Sequence, residues 1–395
     1  MAPYRLRMER LQQKLRQHGA HGMLLTQNVD LYYFTGSMQA GYAFVPAEGE
    51  PVYFVRKSFV RAKEESAVPV EPLGSLRSFA ARLFELYPLL GAAKRPVLAT
   101  EFDVLPVQQM RRLEQAMPEV TWIDGSVWVR EVRMVKSPDE IAVIKQAARI
   151  IDEAFESAVV HVREGMREFE LMAMIEHFIR LRGHLGLMRM RSYNQELVTG
   201  MVAAGSAAAK PTYFDGPAGG EGLSPASPQS SGRRPIRRDE PILVDIGCNL
   251  DGYLIDQSRT LVIGTMPDDL EQAYMLSENI LRATEKQLKP GTVCEDLYEQ
   301  AVELAAQARL EEHFMGYRDD RVKFLGHGIG LEIDELPVLA KGFKYPLEPG
   351  MVIAIEPKFT FPGRGVVGIE NSYCITDSGY EKLTVSREGI IRVEP

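Results

Sequence analysis

Apolar and polar positions alternate in two rhythms, and the change falls near residue 134. Before it, GMLLT (22–26), GYAFV (41–45), PVYFV (51–55), PVLAT (96–100) and VTWID (120–124) are short apolar runs separated by helical patterns. Leu6, Leu11 and Leu15 lie near one face of a helix predicted over 5–18, with Gly19 as its stop. The turn PAEGEP (46–51) predicts a hairpin between two of the runs. Residues 1–133 therefore read as a small α/β domain, and no motif for chemistry falls inside it.

Residues 134–395 read as a second domain. Ser137 as N-cap, Pro138 at the first helical position and Glu140 closing a capping box start a helix of about five turns. Further helices are expected over 168–182, 268–288 and 294–309, stopped by Gly183 and by Lys289-Pro290-Gly291 in the first two cases. Strand patterns alternate with these helices, so the second half reads as α+β with a curved antiparallel sheet. The segment 201–240 is rich in Gly, Ala, Ser and Pro, lacks a sustained period, and is expected to be a long loop at the mouth of a site.

Composition narrows the class. With 45% hydrophobic and 25% charged residues the chain is ordinary for a globular protein, and its 395 residues exceed a usual single core. No segment is long and apolar enough to span a bilayer, and the charged start of the chain has no apolar stretch of the kind a signal peptide needs, so no membrane and a cytoplasmic location are expected. Cys248, Cys294 and Cys374 form an odd set without paired spacing, which suits free thiols in a reducing compartment. A net charge of −8 gives no footprint for nucleic acid. The basic run GRRPIRR (232–238) could meet an anion or simply be a solvated loop.

The chemistry concentrates between 245 and 370. In VDIGCNLDGYLIDQSRT (244–260) a four-residue loop Asn249-Leu250-Asp251-Gly252 would set Asp245 directly opposite Asp256 on one face of a β-ribbon. In AIEPKFTFPGRGVVGIENSYCIT (354–376) the turn at Pro362-Gly363-Arg364 does the same for Glu356 and Glu370. Between the ribbons, FLGHGIGLEIDELP (324–337) carries His327 between two glycines that leave its backbone permissive. Paired carboxylates repel, so a cation between them is the simplest resolution. Four carboxylates and one imidazole suit Mn²⁺, Fe²⁺, Co²⁺ or Zn²⁺, and five protein ligands leave room for water on a pair of ions. The alternative is that some of these acids cap turns or pair with Arg259 and Arg364.

The ordered contexts VDIG, GY-x-x-D-x-x-RT, GHGIGLE, IEP and IEN resemble the pita-bread metallopeptidases: methionine aminopeptidase, Xaa-Pro aminopeptidase and Xaa-Pro dipeptidase, with creatinase as a non-peptidase relative. The resemblance implies a C-terminal pita-bread catalytic domain and, more weakly, an N-terminal creatinase-like domain that covers the partner's site in a homodimer. It assigns Asp245, Asp256, His327, Glu356 and Glu370 as ligands of two divalent ions, Mn²⁺ or Co²⁺ before Zn²⁺ or Fe²⁺, with Glu356 also shuttling protons and a small peptide as substrate.

Three departures from the family pattern put that substrate in question. Proline-specific relatives carry a His seven residues after the ligand His, where this chain has Asp334, and a second His upstream of the first Asp ligand. Here no His lies between His184 and His313. An Arg expected two residues before the last Glu is Gly368. Lys210, Tyr213 and Asp215 of the long loop, with Asp334, are expected to shape an altered substrate pocket. A relative acting on a non-peptide metabolite, and a non-catalytic binding module, are the competing readings; the full ligand set argues against the module.

Overall fold

The computed structural model describes residues 2–394, which divide into two compact units between Arg133 and Met134. The first unit is a six-stranded sheet built from β1 (Gly22–Leu25), β2 (Gly41–Pro46), β3 (Val52–Val55), β4 (Val70–Pro72), β5 (Val97–Thr100) and β6 (Thr121–Asp124), in the order β4-β3-β2-β1-β5-β6. The five apolar runs are strands, and β2 and β3 form the antiparallel hairpin predicted at 46–51. The helix Ala2–Gln17 ends before Gly19, whose φ of 68° suits a residue without Cβ. Phe44, Phe54, Phe79, Leu83 and Leu98 form the core of the unit. Strand β4 carries no clear pattern in the sequence.

The second unit opens with the helix Pro138–Val159, whose capping box is complete: Ser137 Oγ accepts from the Glu140 N–H at 3.4 Å, and Glu140 Oε2 accepts from the Ser137 N–H at 2.7 Å. Ile144, Ala148, Ile151 and Phe155 make its buried stripe, and it packs on β8 (Ile242–Leu250) and β9 (Tyr253–Ile263). These strands join β7 (Gly200–Ala204) and β17 (Ile391–Val393) in a sheet ordered β17-β9-β8-β7. A second sheet, β11-β10-β12-β15-β16, is built from β10 (Phe324–Gly328), β11 (Glu335–Ala340), β12 (Val352–Ile355), β15 (Asn371–Ile375) and β16 (Tyr380–Lys382). The two-stranded ribbon of β13 (Lys358–Phe361) and β14 (Gly365–Gly368) continues from it. Helices Glu168–Arg180, Asp268–Glu285 and Cys294–Gln307 fall where periodicity puts them.

Three local expectations change. The β8/β9 turn is the two-residue Asp251-Gly252, both with φ above zero, so Leu250 pairs with Tyr253 and Asp245 faces Ser258 rather than Asp256. Asp256 pairs with Gly247 and lies diagonal to Asp245, still on the same face because the slip keeps the two-residue period. The segment expected as a continuous loop from 201 begins as β7, which pairs antiparallel with β8; its Met-Val-Ala-Ala run is too short to show a period by itself. The glycines around His327 serve close approach rather than freedom: a Cβ on Gly326 would lie 2.1 Å from the Ala354 carbonyl oxygen, and one on Gly328 2.2 Å from that of Leu336. His327 sits on an interior strand of its sheet, squeezed between β11 and β12.

Candidate metal centre

Glu356 and Glu370 lie level with one another, as the hairpin pattern requires. Ile355 pairs with Asn371 on one side of them and Lys358 with Gly368 on the other, a single register that runs through the short break between β12 and β13. The two acid-bearing ribbons are then pinned together by polar side chains of β9. Ser258 Oγ donates to Glu370 Oε2 at 2.7 Å, the Glu370 N–H to the Ser258 carbonyl at 3.1 Å, and Thr260 Oγ1 to the Gly368 carbonyl at 2.8 Å. Fully buried Arg259 donates to the carbonyls of Ser258, Glu370, Ser386 and Arg387 and to Asn371 Oδ1. Arg259 therefore pairs with none of the site's carboxylates, and Arg364 pairs with Asp269 instead.

Asp256, His327, Glu356 and Glu370 are buried and Asp245 is half-buried; all five line one small cavity of about 100 Å³. His327 Nε2 stands 3.9 Å from Asp256 Oδ2 and 3.7 Å from Glu356 Oε1. Its Nδ1 lies 3.1 Å from the Gly328 carbonyl and 3.3 Å from Asp334 Oδ1, so the ring is held on that side and presents Nε2 to the acids. Asp334 is anchored by its loop, since Glu335 Oε1 accepts from the Leu331 and Glu332 N–H groups while Glu335 Oε2 accepts from Lys136 at 3.0 Å.

Electrostatics reflect the crowding. Burial, and then the Glu370 charge, hold the Asp256 carboxyl well above the usual range. Burial also raises Glu356, to about 7, against the opposing pull of Lys358. For His327 burial works the other way, but the charges of Asp334, Asp256, Glu356 and Glu370 outweigh it and raise the imidazole to about 10. Glu370 ends below the usual value: the Lys358 and His327 charges and the Ser258 hydroxyl overcome its burial. The sequence reading overlooked Lys358. Its side chain is fully buried, with Nζ 2.6 Å from Glu356 Oε2, 2.9 Å from Glu370 Oε2 and 3.3 Å from Asp245 Oδ2. The signal was present in IEPKF, where a Lys two residues after Glu356 shares its face of the strand.

Of the four substrate residues expected from the sequence, Asp215 and Asp334 line this cavity, together with Met188, Phe214, Pro217 and Phe324. Lys210 and Tyr213 do not; they border a neighbouring cavity, where Lys210 pairs with Glu221 and the Tyr213 hydroxyl accepts from Gln229 Nε2 at 3.1 Å. Asp215 is exposed and borders both cavities. In the basic run, Arg234 pairs with Glu240 and Ile236 is buried, so the run is partly structural. Cys248 is buried and lies outside the cavity lining, as its strand parity requires.

Residues 142–377 match the model of metallopeptidase family M24, and residues 7–135 that of the creatinase/prolidase N-terminal domain. The chain belongs to metallopeptidase family M24. It is 26% identical over 387 residues to an Xaa-Pro dipeptidase of Pyrococcus furiosus, covering 98% of this chain and 99% of that one. Among solved structures, the prolidase of Pyrococcus horikoshii matches with a TM-score of 0.79 at 25% identity, covering 98% and 99% of the two chains. A dipeptidase of Mycobacterium ulcerans matches with a TM-score of 0.82 at 25% identity, covering 100% and 99%. The chain thus has the pita-bread fold with a creatinase-like N-terminal domain, and as an M24 member it is a hydrolytic metallopeptidase of a family that uses divalent metal. No helix among the described residues is long and apolar enough to cross a membrane.

The donors fit a divalent cation on one side of the site. Asp256, His327 and Glu370 each offer one ligand atom, all within 4.8 Å of one another. Asp256 Oδ1 is buried without a hydrogen-bond partner, a cost that a cation would remove. On the other side, Asp245, Glu356 and Glu370 already face the Lys358 ammonium.

Proposed function

We propose that this M24 member hydrolyses an amide bond in a small peptide or peptide-like substrate. The observation that carries the reading is the convergence of Asp245, Asp256, His327, Glu356 and Glu370 on one small, largely buried cavity. Asp256, His327 and Glu370 are the residues that would hold a divalent ion, Mn²⁺ or Co²⁺ suiting the carboxylate-rich set, with Zn²⁺ or Fe²⁺ as alternatives. A bound ion supplies Lewis acidity, polarising the substrate carbonyl and bringing a water pKa to near 7. The complete set of five donors supports a pair of ions; Lys358, among three of them, opposes the second.

The chain's own groups do the rest. Glu356 takes the proton of the attacking water and returns it to the leaving amine. The apolar walls at Met188, Phe214 and Phe324 keep bulk water from the reacting atoms, and the Asp215 carboxylate suits a substrate ammonium. Asp334 acts through His327 by fixing its ring, as carboxylates behind metal-binding imidazoles do. Asp334→Ala is expected to lower Mn²⁺ affinity and kcat/KM together by ~10–100-fold, with partial rescue by Asp334→Asn. Calorimetric titration with Mn²⁺ checks this, and unchanged affinity in the alanine variant would remove the positioning role.

The P. furiosus and P. horikoshii relatives named Xaa-Pro dipeptidase and prolidase make Xaa-Pro dipeptides the first substrates to test. A second reading, turnover of a small non-peptide amide, is favoured by Asp334 standing where the proline-specific enzymes have a His. Assay of the Mn²⁺- or Co²⁺-loaded protein on Xaa-Pro dipeptides, longer peptides and small non-peptide amides separates the two. Metal-dependent dipeptide cleavage is expected; turnover of small amides alone would establish the second reading, and no metal-dependent hydrolysis of any of them would sink both. Three buried, unpaired cysteines support a reducing, cytoplasmic setting, and a homodimer follows from the family resemblance.

A further inference from the structure

We infer that Lys358 is a built-in cation standing in for one of two metal ions, so that the centre takes up a single divalent ion on Asp256, His327 and Glu370. The inference rests on the metal-hydrolase reading above and narrows it from two ions to one. An ammonium has three N–H donors, and Lys358 Nζ lies 2.6, 2.9 and 3.3 Å from oxygens of Glu356, Glu370 and Asp245. Those three acids are the ones a second ion would have to share. With the Lys358 side chain at 0% exposure, the charge has no solvent to retreat to. A divalent ion on the same oxygens would sit against a buried positive charge with little water to screen it.

The backbone is built to admit this side chain. Lys358 pairs with Gly368 across the β13/β14 ribbon. A Cβ at position 368 would come within 2.7 Å of Lys358 Cγ and 2.6 Å of the Pro357 carbonyl oxygen, so the missing side chain is the space in which the Lys stem lies. Gly368 is also the position where the family pattern expects an Arg: a large cation is absent from β14, and one enters from β13. Lys358 is not among the residues lining the cavity, so it is a positioning residue that orders the carboxylates from behind.

The two remaining donors, Asp256 and His327, keep the geometry of one site with the shared Glu370. The ligand atoms of the three lie within 4.8 Å of one another, and Asp256 Oδ1 is buried without a hydrogen-bond partner. Glu370 serves both cations, with Oε2 accepting from Lys358 and from Ser258.

The test is the metal content of the full chain. Protein stripped with a chelator, loaded with Mn²⁺ alone and dialysed is expected to retain one equivalent per chain by elemental analysis, with one binding event by calorimetry. Lys358→Ala is expected to gain a second equivalent and Lys358→Arg to keep one. Two equivalents on the wild-type protein would overturn the inference while leaving the hydrolase reading in place, and none at millimolar Mn²⁺ would overturn the metal reading beneath it. A folded Lys358→Ala that still takes one ion would also overturn it. Should that variant fail to fold, the wild-type stoichiometry decides alone.

Discussion

Glu356→Gln is expected to lower kcat/KM by ~10²–10⁴-fold while fold and Mn²⁺ content stay unchanged. Glutamine keeps the length of the side chain and an oxygen to accept from Lys358, which bonds Glu356 Oε2 at 2.6 Å. What it cannot do is bind and release a proton. Glu356 lies outside the Asp256, His327 and Glu370 group, so a defect confined to turnover, with the ion still bound, separates proton transfer from metal binding. Steady-state kinetics beside elemental analysis make the comparison. Activity within a few-fold of wild type would show that another group carries the proton.

The second large effect is on stability. Arg259→Met is expected to destabilise the protein by about 3–5 kcal/mol, because it removes the donor that five oxygens share, four of them in buried bonds. Arg259 uses all of its donating nitrogens: Nε to the Arg387 carbonyl at 2.9 Å, Nη1 to the Ser258 and Glu370 carbonyls at 2.9 and 2.6 Å, and Nη2 to Asn371 Oδ1 and the Ser386 carbonyl at 2.9 and 3.0 Å. Methionine fills much of the volume but offers no N–H; the Ser258 carbonyl keeps the Glu370 N–H and Asn371 Oδ1 keeps the Thr384 hydroxyl, while the Glu370, Ser386 and Arg387 carbonyls lose the N–H they accept from Arg259. Since one of them is the backbone of Glu370, weaker Mn²⁺ binding should accompany the loss. Denaturant unfolding measures the first effect and calorimetry the second. A loss below ~1 kcal/mol would mean that water or a backbone shift satisfies the freed carbonyls.

Much of the chain is legible because its signals are local. The Ser137-Pro138-Glu140 capping box needs only four residues to form, and it forms. The apolar runs of the first unit become strands because a short, buried apolar run has few other ways to satisfy its backbone. The level placement of Glu356 and Glu370 follows from a hairpin whose turn lies between them. The Asp245 and Asp256 pairing missed by two residues of register because a loop of two residues or four could be drawn through Asn249-Leu250-Asp251-Gly252. Only the positive φ of Asp251 and Gly252 selects the tighter one. The contribution of Lys210 and Tyr213 was misplaced because the path of a loop without period depends on what it packs against.

The sequence by itself determined which residues can bind a cation, which face of its strand each one leaves, and the family to which the ordered motifs point, since side-chain chemistry and the two-residue period are properties of the local chain. Only the tertiary structure decided that β9 locks the two acid-bearing ribbons together through Ser258, Arg259 and Thr260, and that the Lys358 ammonium lies among acids of both. Both facts are bonds between segments roughly a hundred residues apart or charges brought together by burial, and neither exists until the sheets pack.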